Sequence, residues 1–314
     1  MSAPAPFSLA RRVGFGDCDP ARIFYAPRAI DYAVEAAEAW FEAVPGVSWS
    51  ELQARHGLEA RLASADCEYS RSAFEGQVIQ VRVAAALSPD GALVLGAVGE
   101  IGPGERSFRS LLELRLVDRA RSRPVPVPPP WRERIEAYGA RWGAPGALPA
   151  EPAPRPGAEG SAEPGPAGSA PFRRRRRVLY GDCGLSGDAH PPRVVDWAVE
   201  AAGEWYQATL GVSWREQCIR GRGTPFVRIR CDYLRPVAAG QAIDLAVRIP
   251  RLGRASIAYD VSGLDAGGSA CFEARMAACY ITEEGGPPRA MPFPGELRRR
   301  ILGYQAACGP GPAS

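Results

Sequence analysis

The stretch DYAVEAAEAWFEAVPGVSWSE, Asp31–Glu51, returns 165 residues later as DWAVEAAGEWYQATLGVSWRE, Asp196–Glu216, with 13 of 21 positions identical and no gap. The register extends outward on both sides. Phe7 falls on Phe172. After the loss of one residue, CEYSRSAFEGQ (Cys67–Gln77) falls on CDYLRPVAAGQ (Cys231–Gln241), and RIEAY (Arg134–Tyr138) matches RILGY (Arg300–Tyr304). Self-similarity over most of each half marks a domain copied in tandem, and 314 residues are enough for two such domains. Between the copies, residues 143–171 are rich in Pro, Ala, Gly and Glu and almost free of large apolar side chains. Such a segment buries too little surface to offset its ordering entropy, so it reads as a flexible linker. The expected organisation is domain 1 at 1–142, linker at 143–171 and domain 2 at 172–314.

Within each copy the hydrophobic period sets the order of elements. A strand leads in at about Phe7–Phe15. Pro27 then opens a helix, where its missing N–H costs nothing. Ile30, Ala33, Val34, Ala37 and Phe41 share one helical face, while Glu35, Glu38 and Glu42 fall elsewhere. The face is largely Ala, which lets the helix lie close against a sheet. Strand-like segments follow at about Leu58–Phe74, Val78–Leu87, Leu93–Ile101 and Phe108–Val117, and again at Phe226–Leu234, Ile243–Ile249, Ala255–Val261 and Cys271–Ile281. One long helix and a run of hairpin-connected strands make an antiparallel α+β domain, its sheet wrapped on the helix. Trp49 and Trp214 read as packing residues after that helix.

Composition excludes several functions. All 38 basic residues are Arg, so there is no Schiff-base lysine and no phosphate-loop Gly-Lys-Ser. A net charge of +3 gives no global field for nucleic acid. His56 and His190 are far apart and no Cys-x-x-Cys pair exists, so no metal site is expected. The apolar run at Ala92–Val98 is too short to span a bilayer. Eight scattered Cys without a secretory signal predict reduced thiols in a cytoplasm.

Just before each long helix the copies diverge. GDCDPARIFYAP (Gly16–Pro27) faces GDCGLSGDAHPP (Gly181–Pro192), so Gly184 stands opposite Asp19 and Pro191 opposite Ala26. VGFGDCDPARIFYAPRAIDYAVEAAEAWF resembles the signature of the 4-hydroxybenzoyl-CoA thioesterase family of the hot-dog fold, and RGRGTPFVRIRCDYLRPVAAGQ (Arg220–Gln241) resembles that family's next block. The resemblance covers nearly all of both copies outside the linker. It implies two tandem hot-dog domains forming a covalent pseudo-dimer, in a family that hydrolyses acyl-CoA thioesters at sites on dimer interfaces. It also implies that Asp19 is the key carboxylate and that the Ala26 backbone N–H polarises the carbonyl.

The chemistry of the residues agrees. A thioester is an activated acyl group, and its hydrolysis needs an attacking group and a donor for the developing oxyanion. Helix N-termini carry unpaired N–H groups with partial positive charge, each worth roughly 3 kcal/mol when aimed at that charge. A carboxylate nearby either attacks the carbonyl or deprotonates water; the residues leave both routes open. Asp in such a turn is also a common turn former, and Asp17, kept as Asp182 in the second copy, reads that way. Cys18 and Cys183 read as small packed side chains.

On that resemblance the second copy has lost both the attacking group and the oxyanion donor. Asp188 lies four positions further on than the carboxylate's place. The first copy departs elsewhere, with HGLEARLA (His56–Ala63) where the second has GRGTPFV (Gly221–Val227). An active site shared across the pair explains both losses: Asp19, Tyr25 and Ala26 of copy one with Gly223, Thr224 and Pro225 of copy two. The opposite site, with Gly184, Pro191 and Glu59, is then vestigial. Arg176 and Arg177, matched by Arg11 and Arg12, are candidates for the phosphates of CoA, against a plain solvated strand. The expected function is acyl-CoA thioesterase acting on an aryl or related acyl group, with CoA or a carrier protein as part of the substrate, no separate cofactor, and a homodimer of pseudo-dimers as one assembly. The alternatives are a non-catalytic acyl-CoA binding protein, which has little reason to keep Asp19, and a hot-dog dehydratase using His190.

Overall fold

The computed structural model describes residues 5–146, 172–284 and 288–308. The linker assigned to 143–171 lies almost wholly outside the described residues. The chain divides into two compact units, Met1–Leu148 and Pro149–Ser314.

Unit 1 runs β1 (Ser8–Arg12), α1 (Ala26–Ala43), α2 (Trp49–His56), β2 (Leu58–Tyr69), β3 (Val78–Leu87), β4 (Leu93–Gly102), β5 (Glu105–Asp118), β6 (Arg123–Val125) and α3 (Pro129–Trp142). Its antiparallel sheet has the order β1-β3-β4-β5-β2, with β6 a short addition to β5. Helix α1 touches all five main strands. The reason is its buried face, where Ala29, Ala33, Ala36 and Ala37 bring the backbone near the sheet and Ile30, Val34, Trp40 and Phe41 fill the core.

Unit 2 runs β7 (Phe172–Arg177), α4 (Pro191–Leu210), α5 (Trp214–Ile219), β8 (Arg222–Gly223), β9 (Phe226–Tyr233), β10 (Ala242–Leu252), β11 (Ser256–Leu264), β12 (Ala270–Cys279), β13 (Ile281–Thr282), β14 (Arg289–Ala290) and α6 (Gly295–Cys308). Its order, β9-β12-β11-β10-β7, is that of unit 1 element for element. The match reaches single residues. In unit 1 the β2–β5 register slips between Leu62 and Ser64; in unit 2 the β9–β12 register slips at the matching place, between Ala277 and Ala278. Phe108 lies over Gly99 and Phe272 over Gly263, so closely that a Cβ on either glycine would meet the ring at 2.3 or 2.0 Å. Both strand pairs need glycine there.

Two helices per unit were not foreseen. The Trp49 and Trp214 stretches each open a short helix with a reciprocal cap. Ser48 Oγ accepts the Glu51 N–H and Glu51 accepts the Ser48 N–H, both at 3.2 Å; Ser213 and Glu216 do the same. The terminal helices α3 and α6 explain the RIEAY and RILGY match. Arg134 donates to the Pro45 carbonyl after α1 at 2.7 Å, Ile135 is buried, and Tyr138 donates to Val83 at 2.6 Å while accepting the Phe7 N–H at 3.1 Å. Arg300, Ile301 and Tyr304 repeat this on Leu210, the core, Val247 and Phe172. Each tyrosine thereby ties the leading strand to its neighbour. The leading strand itself is shorter than expected, because Phe15–Asp17 form a 3₁₀ turn.

Candidate active site

The turn before α1 is built from the inside out. Asp17 is its anchor: its Oδ2 accepts the Gly14 N–H and the Tyr32 hydroxyl, both at 2.9 Å, and its carbonyl accepts the Tyr25 N–H at 2.9 Å. A Cys18–Phe24 bridge closes the loop. Within it the Asp19 N–H donates to Ile23 at 3.0 Å and the Arg22 N–H donates to Asp19 at 2.8 Å, which forces Arg22 into the left-handed region at φ +64°. Asp17 is thus structural, as expected. The Cys18 thiol is pushed up by burial and then by the Asp19 charge, so it stays a thiol.

Asp19 sits partly buried on this loop. One oxygen accepts the Ala21 N–H at 2.8 Å. Burial raises its pKa above the ordinary carboxylate value, and the Ala21 and Ile23 amides offset only part of that. A carboxylate that is desolvated and not ion-paired is a better base and nucleophile than a solvated one.

Tyr25 is the N-cap of α1, and no side chain caps that terminus. The first turn holds no acidic residue, so the positive end of the helix is not neutralised from within. Ala26 is the first helical residue and its N–H precedes the helix's own ladder. The Ala26 carbonyl is held by the Tyr69 hydroxyl at 2.9 Å, from the end of β2. Sequence reasoning missed Tyr69, although the CEY and CDY repeat carried it: Tyr233 makes the same bond to the Pro191 carbonyl at 3.1 Å.

The second turn keeps the scaffold. Asp182 accepts the Leu179 N–H at 2.8 Å and its carbonyl accepts the His190 N–H at 2.8 Å. The Gly184 N–H donates to Asp188 and the Gly187 N–H donates to Gly184, both at 3.0 Å, with Gly187 at φ +86°. Asp188 therefore occupies the place of Ile23, and Gly184 that of Asp19. A Cβ on Gly184 would have His190 Cδ2 at 3.8 Å as its nearest neighbour, so the carboxylate's room persists. Helix α4 begins Pro191-Pro192, and proline at its first position has no N–H to offer.

Asp19 lies on the loop closed by the Cys18–Phe24 bridge, and Tyr25 and Ala26 follow it at the start of α1. Gly223, Thr224 and Pro225 lie in unit 2, at the junction of β8 and β9, where Gly223 pairs with Ile281 and the Pro225 carbonyl accepts the Cys279 N–H at 3.0 Å. Arg176 is engaged inside its own unit: it contacts Asp182 at 3.2 Å and Glu200 at 2.9 Å and lies 4.9 Å over the Trp197 ring. Arg11 is held alike by Glu35 and the Tyr32 ring. Arg177, at the exposed end of β7, has no such partner among the described residues. No helix among the described residues is long and apolar enough to cross a membrane.

Comparison with known families finds two matches. A family model described as thioesterase-like superfamily matches residues 13–135, and one described as thioesterase superfamily matches residues 187–272. No curated protein sequence matches. Among solved structures, a 12:0-ACP thioesterase from Umbellularia californica is similar over 90% of this chain and 97% of its own, at 12% identity and a TM-score of 0.64. An acyl-ACP thioesterase from Bacteroides thetaiotaomicron is similar over 87% and 97%, at 10% identity and a TM-score of 0.61. At these identities the likeness is one of fold, the tandem hot-dog fold.

Proposed function

From the two thioesterase-superfamily domains that the chain carries in tandem, which make it a thioester hydrolase, we propose one working centre, the Asp19 turn of unit 1. The observation that carries this reading is the paired difference between two otherwise matched turns: a desolvated carboxylate and a first-turn N–H in one, Gly184 and Pro191 in the other.

In the proposed reaction the thioester carbonyl oxygen points at the Ala26 N–H. Attack at the carbonyl carbon moves a pair of electrons onto that oxygen, and the N–H and helix dipole stabilise the oxyanion. The tetrahedral adduct collapses, the C–S bond breaks and the thiolate leaves. If Asp19 is the nucleophile, an acyl–aspartyl anhydride forms and water then cleaves it. If Asp19 is the base, it takes a proton from the attacking water, and the free acid forms in one step. Single turnover in ¹⁸O water tests the routes: an anhydride opened by water at the aspartyl carbonyl gives product with oxygen from the protein, whereas base catalysis gives only labelled product. The acyl carrier, CoA or a carrier protein, is part of the substrate, and no cofactor enters. The resemblance of the Asp19 stretch to 4-hydroxybenzoyl-CoA thioesterases supports CoA and an aryl acyl group; the ACP thioesterases of like fold support a carrier protein. Tyr25, on the Asp19 turn, is a proposed substrate contact. Arg177, rather than Arg176, remains available for a phosphate. The test is a panel of aryl and alkyl thioesters on CoA and on carrier protein, followed by free-thiol release, with Asp19→Asn as control. Release that depends on Asp19 supports the reading; release indifferent to it overturns the assignment.

A further inference from the structure

Two further side chains distinguish the Asp19 loop from its copy. Arg22 stands opposite Gly187, and Phe74 stands opposite Ala238. The backbone around them is the same in both units. The Arg22 N–H donates to the Asp19 carbonyl at 2.8 Å, as the Gly187 N–H donates to Gly184 at 3.0 Å. The Phe24 N–H donates to Ala73 at 2.8 Å, as the Ala189 N–H donates to Val237 at 2.8 Å. The Phe74 and Ala238 N–H groups each donate to a glutamine side chain, Gln77 and Gln241, at 2.8 Å. The Phe24–Ala73 bond lays the segment bearing Phe74 alongside the segment bearing Arg22. A cation and a ring therefore stand on adjacent stretches of backbone at the loop that carries Asp19.

Both side chains are unfavourable where they stand. Arg22 holds φ +64°, a left-handed conformation that Gly187 adopts at φ +86° with no Cβ to penalise it. Its guanidinium is exposed and makes no hydrogen bond, ion pair or ring contact among the described residues. The Phe74 ring is 50% exposed and stacks on no other ring among them. Neither serves the fold, since unit 2 closes the same loop with glycine and alanine. By contrast, the exposed ring just before the loop, Phe15, recurs as Tyr180, so it belongs to the common frame. Backbone held in a sparsely populated conformation collects at ligand sites. Here it accompanies the carboxylate: the copy that keeps Asp19 also keeps the cation and the ring.

We propose that Arg22 and Phe74 bind the nucleotide end of the substrate's carrier, a phosphate on the guanidinium and the base on the ring, so that the substrate is an acyl-CoA rather than an acyl-carrier protein. The inference rests on the reading of the Asp19 turn as the working centre. With the thioester carbonyl at the partly buried Asp19, the part of the substrate left toward solvent is its carrier, and Arg22 and Phe74 are the exposed side chains beside it. A guanidinium fork binds phosphate oxygens in pairs, and a nucleobase stacks on an exposed aromatic face. A carrier protein brings the phosphate of its prosthetic arm but no base, so it would use Arg22 without Phe74.

The test uses the full chain and one acyl group, the best hydrolysed of the aryl and alkyl panel, carried on CoA, 4′-phosphopantetheine, pantetheine and carrier protein. Arg22→Gly and Phe74→Ala each install the residue that unit 2 holds at that place, in a loop that closes there with both. The wild type is expected to show a KM about tenfold lower for the CoA ester than for the pantetheine ester. Arg22→Gly and Phe74→Ala should each raise the KM of the CoA ester about threefold or more, and the double variant should bring the two esters within about twofold. Free CoA, titrated by calorimetry, should lose affinity in the same order. CoA and pantetheine esters with equal KM in the wild type, a difference that survives the double variant, or free CoA binding indifferent to both substitutions overturns the proposal. A carrier-protein ester with the lowest KM, sensitive to Arg22→Gly but not to Phe74→Ala, also overturns it. If CoA binding depends on both residues while hydrolysis is indifferent to Asp19→Asn, the nucleotide site stands and the hydrolytic reading of Asp19 falls.

Discussion

The two turns that open α1 and α4 share one backbone and differ in chemistry. Both hang from an aspartate, both close with the same pair of amide bonds, and both set a helix whose first carbonyl is held by a tyrosine hydroxyl. The parts that fold the turn are duplicated, and the parts that would do chemistry are not. Asp17 and Asp182 cannot be lost without loosening the turn. Asp19 can be, because its side chain supports only amides of its own loop, Ala21 and Ile23, and Gly184 shows the loop closing without it. Even the anchors are exchangeable around a fixed aspartate: Tyr32 supports Asp17, whereas Trp197 stands at Tyr32's place and Arg176 supports Asp182.

Transplanting unit 2's proline into unit 1 strikes the comparison hardest. Ala26→Pro removes the proposed oxyanion donor while leaving a helix start that α4 already tolerates. It is expected to lower kcat by about 10²–10³-fold with little change in KM, while circular dichroism stays that of the parent. An unchanged kcat would remove Ala26 from the mechanism.

The pH profile sharpens the same contrast. Burial raises the Asp19 pKa, so the ionised form that the proposed mechanism needs is reached at higher pH than for an ordinary aspartate. Below that raised pKa, kcat/KM is expected to fall about tenfold per pH unit. The stability sign is opposite. A raised carboxyl pKa means that the folded state favours the protonated form, a contribution that is lost as pH rises through the folded pKa. At neutral pH, Asp19→Asn should therefore keep or raise Tm by calorimetry, and a clear drop in Tm would mark Asp19 as a turn former.

Two smaller effects bear on the shared frame. Tyr138→Phe leaves the Val83 carbonyl and the Phe7 N–H without their partner and should cost about 1–3 kcal/mol by urea unfolding, with a like cost for Tyr304→Phe. Arg22→Gly copies Gly187 into unit 1. It relieves a left-handed conformation worth about 1 kcal/mol, so stability should rise slightly; a loss would mean that the Arg22 side chain holds the loop.

Much of the frame was legible because the repeat repeats it. The shift of 165 becoming 164 falls where α2 spans Trp49–His56 and α5 only Trp214–Ile219, so the deletion sits in a short helix and leaves the strand register intact. Asp19, Ala26, Gly184 and Pro191 could be singled out because a substituted pair stands out against a copied background. Other features were hidden for physical reasons. Ser-x-x-Glu in SWSE and SWRE is a capping signal, but helices of 8 and 6 residues carry too little periodicity to declare themselves. Tyr138 and Tyr69 act on backbone atoms 131 and 43 residues away, contacts that no local pattern encodes. The strand expected to run to Phe74 ends at Tyr69, because the Ser70 and Arg71 amides both turn to the Ser107 carbonyl.

The central claim is that one copy carries the chemistry. Free-thiol release from the thioester the chain hydrolyses best, measured side by side for Asp19→Asn and Asp188→Asn, tests it most directly. The account predicts a loss of about 10³-fold or more in kcat/KM for Asp19→Asn and a change within about twofold for Asp188→Asn. Comparable losses in both variants, or an Asp19→Asn variant keeping more than about a tenth of the activity, would contradict it.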